Sequence, residues 1–265
     1  MTHHVAPRFA ASMLAGMLLS TAAMAPAAAE PAEITVLTSV ALTSALDDLA
    51  VKFERTTGNK LKIGYDLIAN VRKKILAGET ADVIMLSRPA MDDLSKQDKF
   101  AAGSLTDIAG TPVSIAVQAG APKPDIGSAE ALKKTLLDAR SIVYSDPAKG
   151  GASGVYFAKV IDQLGLTEQL KAKTILVAGA QAGEVLAKKE AELGVAQASE
   201  LVPVAGVQLV GPLPGELGSM TNFTAAVGAG SKQGDAAKSL IQYLTGPEAA
   251  AVLKAKGFTP AKPGS

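Results

Sequence analysis

Val83-Ile84-Met85-Leu86 is an apolar run unbroken by any polar residue. A strand reads this way when both of its faces are covered, as in a parallel sheet flanked by helices. The chain before it supplies matching elements. Ile34–Leu37 reads as a strand, and Leu42, Leu46, Leu49 and Phe53 share one helical face that stops at Gly58. Leu61, Ile63 and Tyr65 alternate as in a strand, and Val71 with Ile75 ahead of Gly78 predicts a short helix. Beyond Pro112 the alternation resumes with a strand through Val113, Ile115 and Val117, then a helix from Ser128 through Leu132, Leu136 and Leu137. A strand at 141–145, a helix from Val155 to Leu164, and strands at 174–178, 193–197, 207–210 and 223–227 follow. Two helices near 236–244 and 248–256 close the pattern. Strand and helix alternating throughout predict an α/β fold with mainly parallel sheets.

Composition narrows the chemistry. The 265 residues carry 26 Lys+Arg against 25 Asp+Glu, a formal charge of +1, which lacks the basic excess that phosphate contacts require. There is no cysteine, so disulfides, thiolate nucleophiles and thiolate metal sites are excluded. Residues 1–29 hold Arg8, no acid, an apolar run from Phe9 to Ala25, and Ala27-Ala28-Ala29. That order is the pattern of a secretory signal cleaved near Ala29. As a membrane anchor the run is broken by Ser12, Gly16, Ser20 and Thr21, and it falls short of the roughly 20 residues a spanning helix needs. Cleavage would remove His3, His4 and Arg8, leaving 25 basic and 25 acidic side chains and no histidine. Ser-His-Asp and Cys-His catalysis and zinc sites with His or Cys ligands then fall away. The expectation is an exported, non-enzymatic binding chain with no cofactor, no metal and no nucleic-acid partner. The alternatives are a sensor-type binding protein and, more distantly, an exported hydrolase or lyase using carboxylates.

The Pro- and Gly-rich loops near 119–124 and 211–219 mark a division. It predicts an outer lobe from 30–112 plus 223–265 and a middle lobe from 113–222, with a single large sheet as the alternative that composition leaves open.

In open α/β sheets ligands bind where strands hand over to helices. The first such loop is Thr38-Ser39-Val40-Ala41, where hydroxyls beside free helix-start amides suit an anion. Ser39 or Ser44 capping the helix, with Asp47 completing a box, explains the same residues. The second runs Ser145-Asp146-Pro147-Ala148-Lys149-Gly150-Gly151-Ala152-Ser153-Gly154. Its glycines let backbone amides converge, and Ser153 adds a hydroxyl. It lacks the Gly-Lys-Ser/Thr ending of a nucleotide loop. Asn70, Arg72 and Arg88 form a third group, in which Arg88 is the stronger anion partner because it directly follows the buried run. Gln197, at the end of a buried strand, is the fourth candidate. Asp47-Asp48 and Asp92-Asp93 are adjacent on helices and do not face each other as a catalytic dyad.

Ile34-Thr35-Val36-Leu37 with Ala41-Leu42-Thr43-Ser44-Ala45-Leu46 resembles the opening of the periplasmic molybdate-binding proteins. So do Ala77–Val83, Ser145-Asp146-Pro147 with Gly154-Val155-Tyr156, Leu193-Gly194-Val195, and Tyr243-Leu244-Thr245-Gly246-Pro247-Glu248. The resemblance follows the family's order across 33–258. It implies a type II periplasmic binding protein-like fold: two lobes joined by two crossing strands. It also implies a monomer closing on a small anion, delivered to a membrane ABC permease. The departures are local. The family's first binding serine falls at Ala41, its serine cluster at Leu67-Ile68-Ala69 beside Asn70, and its binding tyrosine at Gln197. Ser153 takes the place of a backbone contact. The ligand-binding set expected is Thr38, Ser39, Asn70, Arg88, Ser145, Gly151, Ser153, Gly154 and Gln197, taking a molybdate- or tungstate-like oxyanion or a small carboxylate.

Overall fold

The computed structural model describes residues 1–4 and 31–262. The signal segment expected at 1–29 lies, from residue 5 on, outside the described residues. Among those described, no helix is long and apolar enough to cross a membrane.

The chain runs from β1 (Glu33–Ser39) through a 3₁₀ turn (Val40–Leu42) into α1 (Thr43–Thr57), then β2 (Lys60–Asp66), α2 (Ile68–Leu76), β3 (Val83–Ser87) and α3 (Arg88–Ser95). Helix α1 buries Leu46, Leu49 and Phe53, and Gly58 ends it at φ 78°, a left-handed turn that favours glycine. Residues Val83 to Leu86 of β3 are all buried. They feed two different cores: Val83 and Met85 pack in one, Ile84 and Leu86 in the other. That is the double-sided cover the unbroken apolar run predicts.

Next come β4 (Thr106–Gln118), α4 (Ala129–Asp138), β5 (Ile142–Ser145), α5 (Ala152–Gln163), α6 (Thr167–Lys171), β6 (Thr174–Val177), α7 (Ala182–Ala187), β7 (Leu193–Gln197) and α8 (Ala198–Leu201). The chain closes with β8 (Val207–Pro212), β9 (Met220–Val227), α9 (Gly234–Leu244), α10 (Pro247–Ala255) and β10 (Thr259–Pro260). The long elements stand where the periodicity puts them. Helices α3, α6, α7 and α8 are eight residues or shorter, too short for an apolar period to register.

Strand order is β2-β1-β3-β9-β4-β7-β5-β6, with β8 and β10 also on β4. Pairs β1–β2, β1–β3, β5–β6 and β5–β7 are parallel, as strand–helix–strand connections require. Pairs made by β9 and β4 are antiparallel, so the sheet is mixed around the middle of the order.

Strand β4 does not stop at Pro112, where the sequence pattern places a break. Its first half, to Pro112, pairs with β9, and its second half, from Val113, pairs with β7 and β8. Proline has no N–H for a ladder, and here it sits where the strand exchanges one partner for another.

Two large cores draw on different stretches of chain. One joins Ile34, Leu46, Phe53 and Met85 to Phe223, Leu240, Leu253 and Phe258. The other joins Val113, Leu132, Leu136, Tyr144, Phe157, Val160 and Val195. From Pro31 onward the chain holds together as one unit.

Candidate ligand-binding site

Strands β5 and β7 are parallel neighbours, so their ends, Ser145 and Gln197, lie at the same edge of the sheet. After Ser145 the chain makes a tight reversal. Asp146 caps the 3₁₀ turn Pro147–Lys149, its Oδ1 accepting from the Ala148 N–H at 2.9 Å. Gly150 follows at φ 78°, a conformation that favours glycine. Helix α5 then starts directly on top of Ser145. A Cβ on Gly151 would stand 2.1 Å from Ser145 Oγ, and one on Gly154 would stand 1.9 Å from the Ser145 carbonyl oxygen. Gly154 is therefore required by the close approach of helix backbone to strand backbone, and Gly151 by the Ser145 side chain packed against it.

The first turn of α5 has no side-chain cap, and Val155 N to Gly151 O, 2.9 Å, is its first helical bond. The N–H groups of Ala152, Ser153 and Gly154 thus have no helical acceptor. Beside them Ser145 is 3% exposed, and its Oγ has no hydrogen-bond partner among the described residues. An uncapped helix start next to an unpartnered buried hydroxyl presents free donors of the kind an anionic group can accept from. Ser153 is buried in the same turn.

A second turn, Gln197-Ala198-Ser199, opens α8. Gln197 is 1% and Ser199 2% exposed. Gln197 Nε2 donates to Thr221 Oγ1 at 3.0 Å. Gln197 Oε1 faces the Glu200 N–H across a capping box without completing a hydrogen bond, and Ser199 Oγ has no partner among the described residues. Glu200 caps the turn, its Oε2 accepting from the Gln197 N–H at 3.2 Å. Burial pushes the Glu200 carboxyl up to about 7, with that N–H pulling weakly the other way.

The remaining expected residues are placed less freely. Thr38 is buried and its Oγ1 donates to the Met85 carbonyl at 3.0 Å, stitching β1 to β3. Ser39 Oγ accepts from the Ala41 N–H at 3.3 Å and caps the turn at 40–42. The alternative box of Ser44 with Asp47 does not form, because Asp47 accepts from the Tyr65 hydroxyl at 2.7 Å and Ser44 Oγ is unpartnered. Asn70 lies inside α2 and donates to Asp66 Oδ1 at 2.8 Å. Arg72 is tied to Asp93. Arg88 is engaged by two carboxylates, Asp92 at 2.8 Å and Asp107 at 3.2 Å, and the hydrogen bonds it donates to Asp92 and then Asp107 hold its pKa above the ordinary value. The Arg88 side chain stays about half exposed, 47%, and shares its charge with these two carboxylates.

Two close approaches link the loops. A Cβ on Gly150 would meet the Ala69 Cβ at 3.4 Å, and α8 packs beside the turn at 40–42. Ser39–Ala41, Ala69–Asn70, Ser145–Gly154 and Gln197–Ser199 are thereby drawn together, whereas Arg88 turns toward Asp107 on β4. Thr111, Thr221 and Glu200 were not read from the sequence. The Glu200 signal was present as an acid three residues beyond Gln197, but Gln is not among the usual N-cap residues.

Residues 34–259 match the family described as bacterial extracellular solute-binding protein. An aconitate isomerase from Pseudomonas sp is 33% identical, over 96% of this chain and 97% of its own. The molybdate-binding protein ModA of Escherichia coli is 26% identical, over 94% of this chain and 97% of its own. The solved periplasmic molybdate-binding protein of Azotobacter vinelandii superposes with a TM-score of 0.71 at 22% identity, covering 86% of this chain and all of the other, and so shares the fold.

Proposed function

This chain belongs to the bacterial extracellular solute-binding proteins, and from that premise we propose that it captures a small organic polycarboxylate with one carboxylate on the first turn of α5. The observation that carries this reading is the uncapped start of α5 against the unpartnered Ser145 hydroxyl. Backbone amides and a hydroxyl neutralise one carboxylate without a counter-ion. The two cores act as lobes, β4 and β9 form the hinge, and the Gly150–Ala69 approach marks the closed edge. Closure of this kind holds a ligand between lobes. The captured anion passes to a membrane ABC permease, the chain working as an extracytoplasmic monomer.

Two features favour an organic acid over molybdate. The hydroxyls that the molybdate-binding resemblance requires are replaced at Ala41 and at Leu67-Ile68-Ala69, and Ser39 is spent on its own turn. The relative named as an aconitate isomerase also matches with higher identity than the ModA protein. A thermal-shift panel of cis-aconitate, citrate, molybdate and tungstate tests the choice. A ligand at one hundred times its Kd adds about 2.7 kcal/mol of stability, so the carboxylates raise Tm and the metal oxyanions leave it unchanged.

The same relative supports a second reading, isomerisation of the bound acid. That chemistry needs a group that takes a proton from one carbon and returns it to another. Glu200, desolvated and pushed up to about 7, is the carboxyl on the Gln197–Ser199 turn. Proton NMR of cis-aconitate with the protein in deuterated water tests it: turnover gives the trans isomer, and Glu200→Gln abolishes the conversion.

A further inference from the structure

Thr111 and Thr221 are cross-strand partners in the β4–β9 ladder, so their side chains stand on one face of the hinge pair. Each hydroxyl engages the same short turn. Thr221 Oγ1 accepts from Gln197 Nε2 at 3.0 Å, and Thr111 Oγ1 accepts from the Ser199 N–H at 3.1 Å. Thr111 is fully buried and its own hydroxyl proton goes to the Gly257 carbonyl at 3.2 Å. Gly257 presses on the turn from the other side: a Cβ there would stand 2.8 Å from the Ala198 carbonyl oxygen. The turn so gripped carries two buried polar atoms, Gln197 Oε1 and Ser199 Oγ, that have no partner among the described residues.

We propose that Thr221 and Thr111 are positioning residues through which the two hinge strands aim the Gln197–Ser199 turn at the ligand. The proposal rests on the functional reading above for the ligand and on the hydrogen bonds alone for the grip. A hydroxyl both donates and accepts, and an amide presents either function according to which way it is turned. Thr221 can therefore hold Gln197 in both orientations: accepting from Nε2 leaves Oε1 free for a ligand donor, and donating to Oε1 frees Nε2 for a ligand carboxylate. The turn then accommodates the second polar group of the acid whether that group is protonated or ionised. Because both threonines sit on the strands about which closure occurs, rotation at the hinge changes the aim of the turn.

Two measurements decide it. In the ligand-free protein, the Gln197 side-chain amide is followed by ¹⁵N-resolved NMR in wild type, Thr221→Val and Thr221→Ser. The account expects two well-separated, slowly exchanging amide protons in wild type and Thr221→Ser, collapsing toward solvent values in Thr221→Val. Identical spectra in all three overturn the grip, whatever the chain binds. With cis-aconitate as the probe, Thr221→Val should weaken binding about tenfold, on the scale of one hydrogen bond. Thr221→Ser should restore it, and Gln197→Met with Thr221→Val should be no weaker than Gln197→Met alone. Additive losses in that double variant overturn the positioning role. If wild type ignores cis-aconitate while the amide signature responds to Thr221→Val, the functional reading fails and the grip stands.

Discussion

Gly154 passes so close over Ser145 that a methyl group added to it would stand 1.9 Å from the Ser145 carbonyl oxygen. This contact sets α5 on the end of β5 and leaves the first-turn amides of the helix beside the Ser145 hydroxyl. Gly154→Ala must push the helix off the strand. Overpacking of that kind costs about 1–3 kcal/mol, and the displaced helix start should bind anions at least tenfold more weakly. Chemical denaturation and ligand titration of the one variant check both parts.

Ser145→Ala separates binding from stability. The Ser145 hydroxyl is buried and unpartnered, and removing such a group relieves a desolvation penalty of about 1–3 kcal/mol. The variant should be as stable as wild type or more so, while its affinity falls. A loss of stability in denaturant would show that the hydroxyl is satisfied in the free protein.

Much of this was legible in the sequence. The run Val83–Leu86, the alternation at Val113–Val117 and the helix stop at Gly58 each carry a period or a punctuation mark that survives folding. The loop from Ser145 to Gly154 was also visible, because paired glycines state a backbone requirement directly. The partners of Arg88 were not legible: a cation after a buried strand looks free until the fold brings Asp92 and Asp107 to it. Thr111 and Thr221 lie 110 residues apart in the chain, and only the ladder register pairs them. No local pattern reports such a relation.

Arg88→Gln tests whether Arg88 contributes to binding. Partly exposed ion pairs contribute about 0–1 kcal/mol, so stability should fall by less than that and ligand affinity should hold within about twofold. A tenfold loss of affinity, measured by titration, would return Arg88 to the site.

Glu200 predicts a pH dependence. Its carboxyl rises from 4.5 in the unfolded chain to about 7 in the fold, through burial. A raised carboxyl pKa means the unfolded state gives up its proton first. Its contribution is therefore fully present below about 4.5 and is lost as pH rises through about 7. The loss is on the order of 3 kcal/mol. Glu200→Gln keeps a side-chain acceptor for the Gln197 N–H and carries no charge, so its stability should be flat over that window. Urea unfolding of both proteins at pH 5, 6, 7 and 8 gives the comparison.

The central claim is that one carboxylate of an organic acid sits on the first turn of α5 against Ser145. Isothermal titration of the wild-type protein with cis-aconitate, then with molybdate, addresses it most directly, with Ser145→Ala titrated alongside. The account predicts one molecule of cis-aconitate bound per chain, at least tenfold weaker binding to Ser145→Ala, and no heat from molybdate. Saturable molybdate binding with no response to cis-aconitate would contradict it.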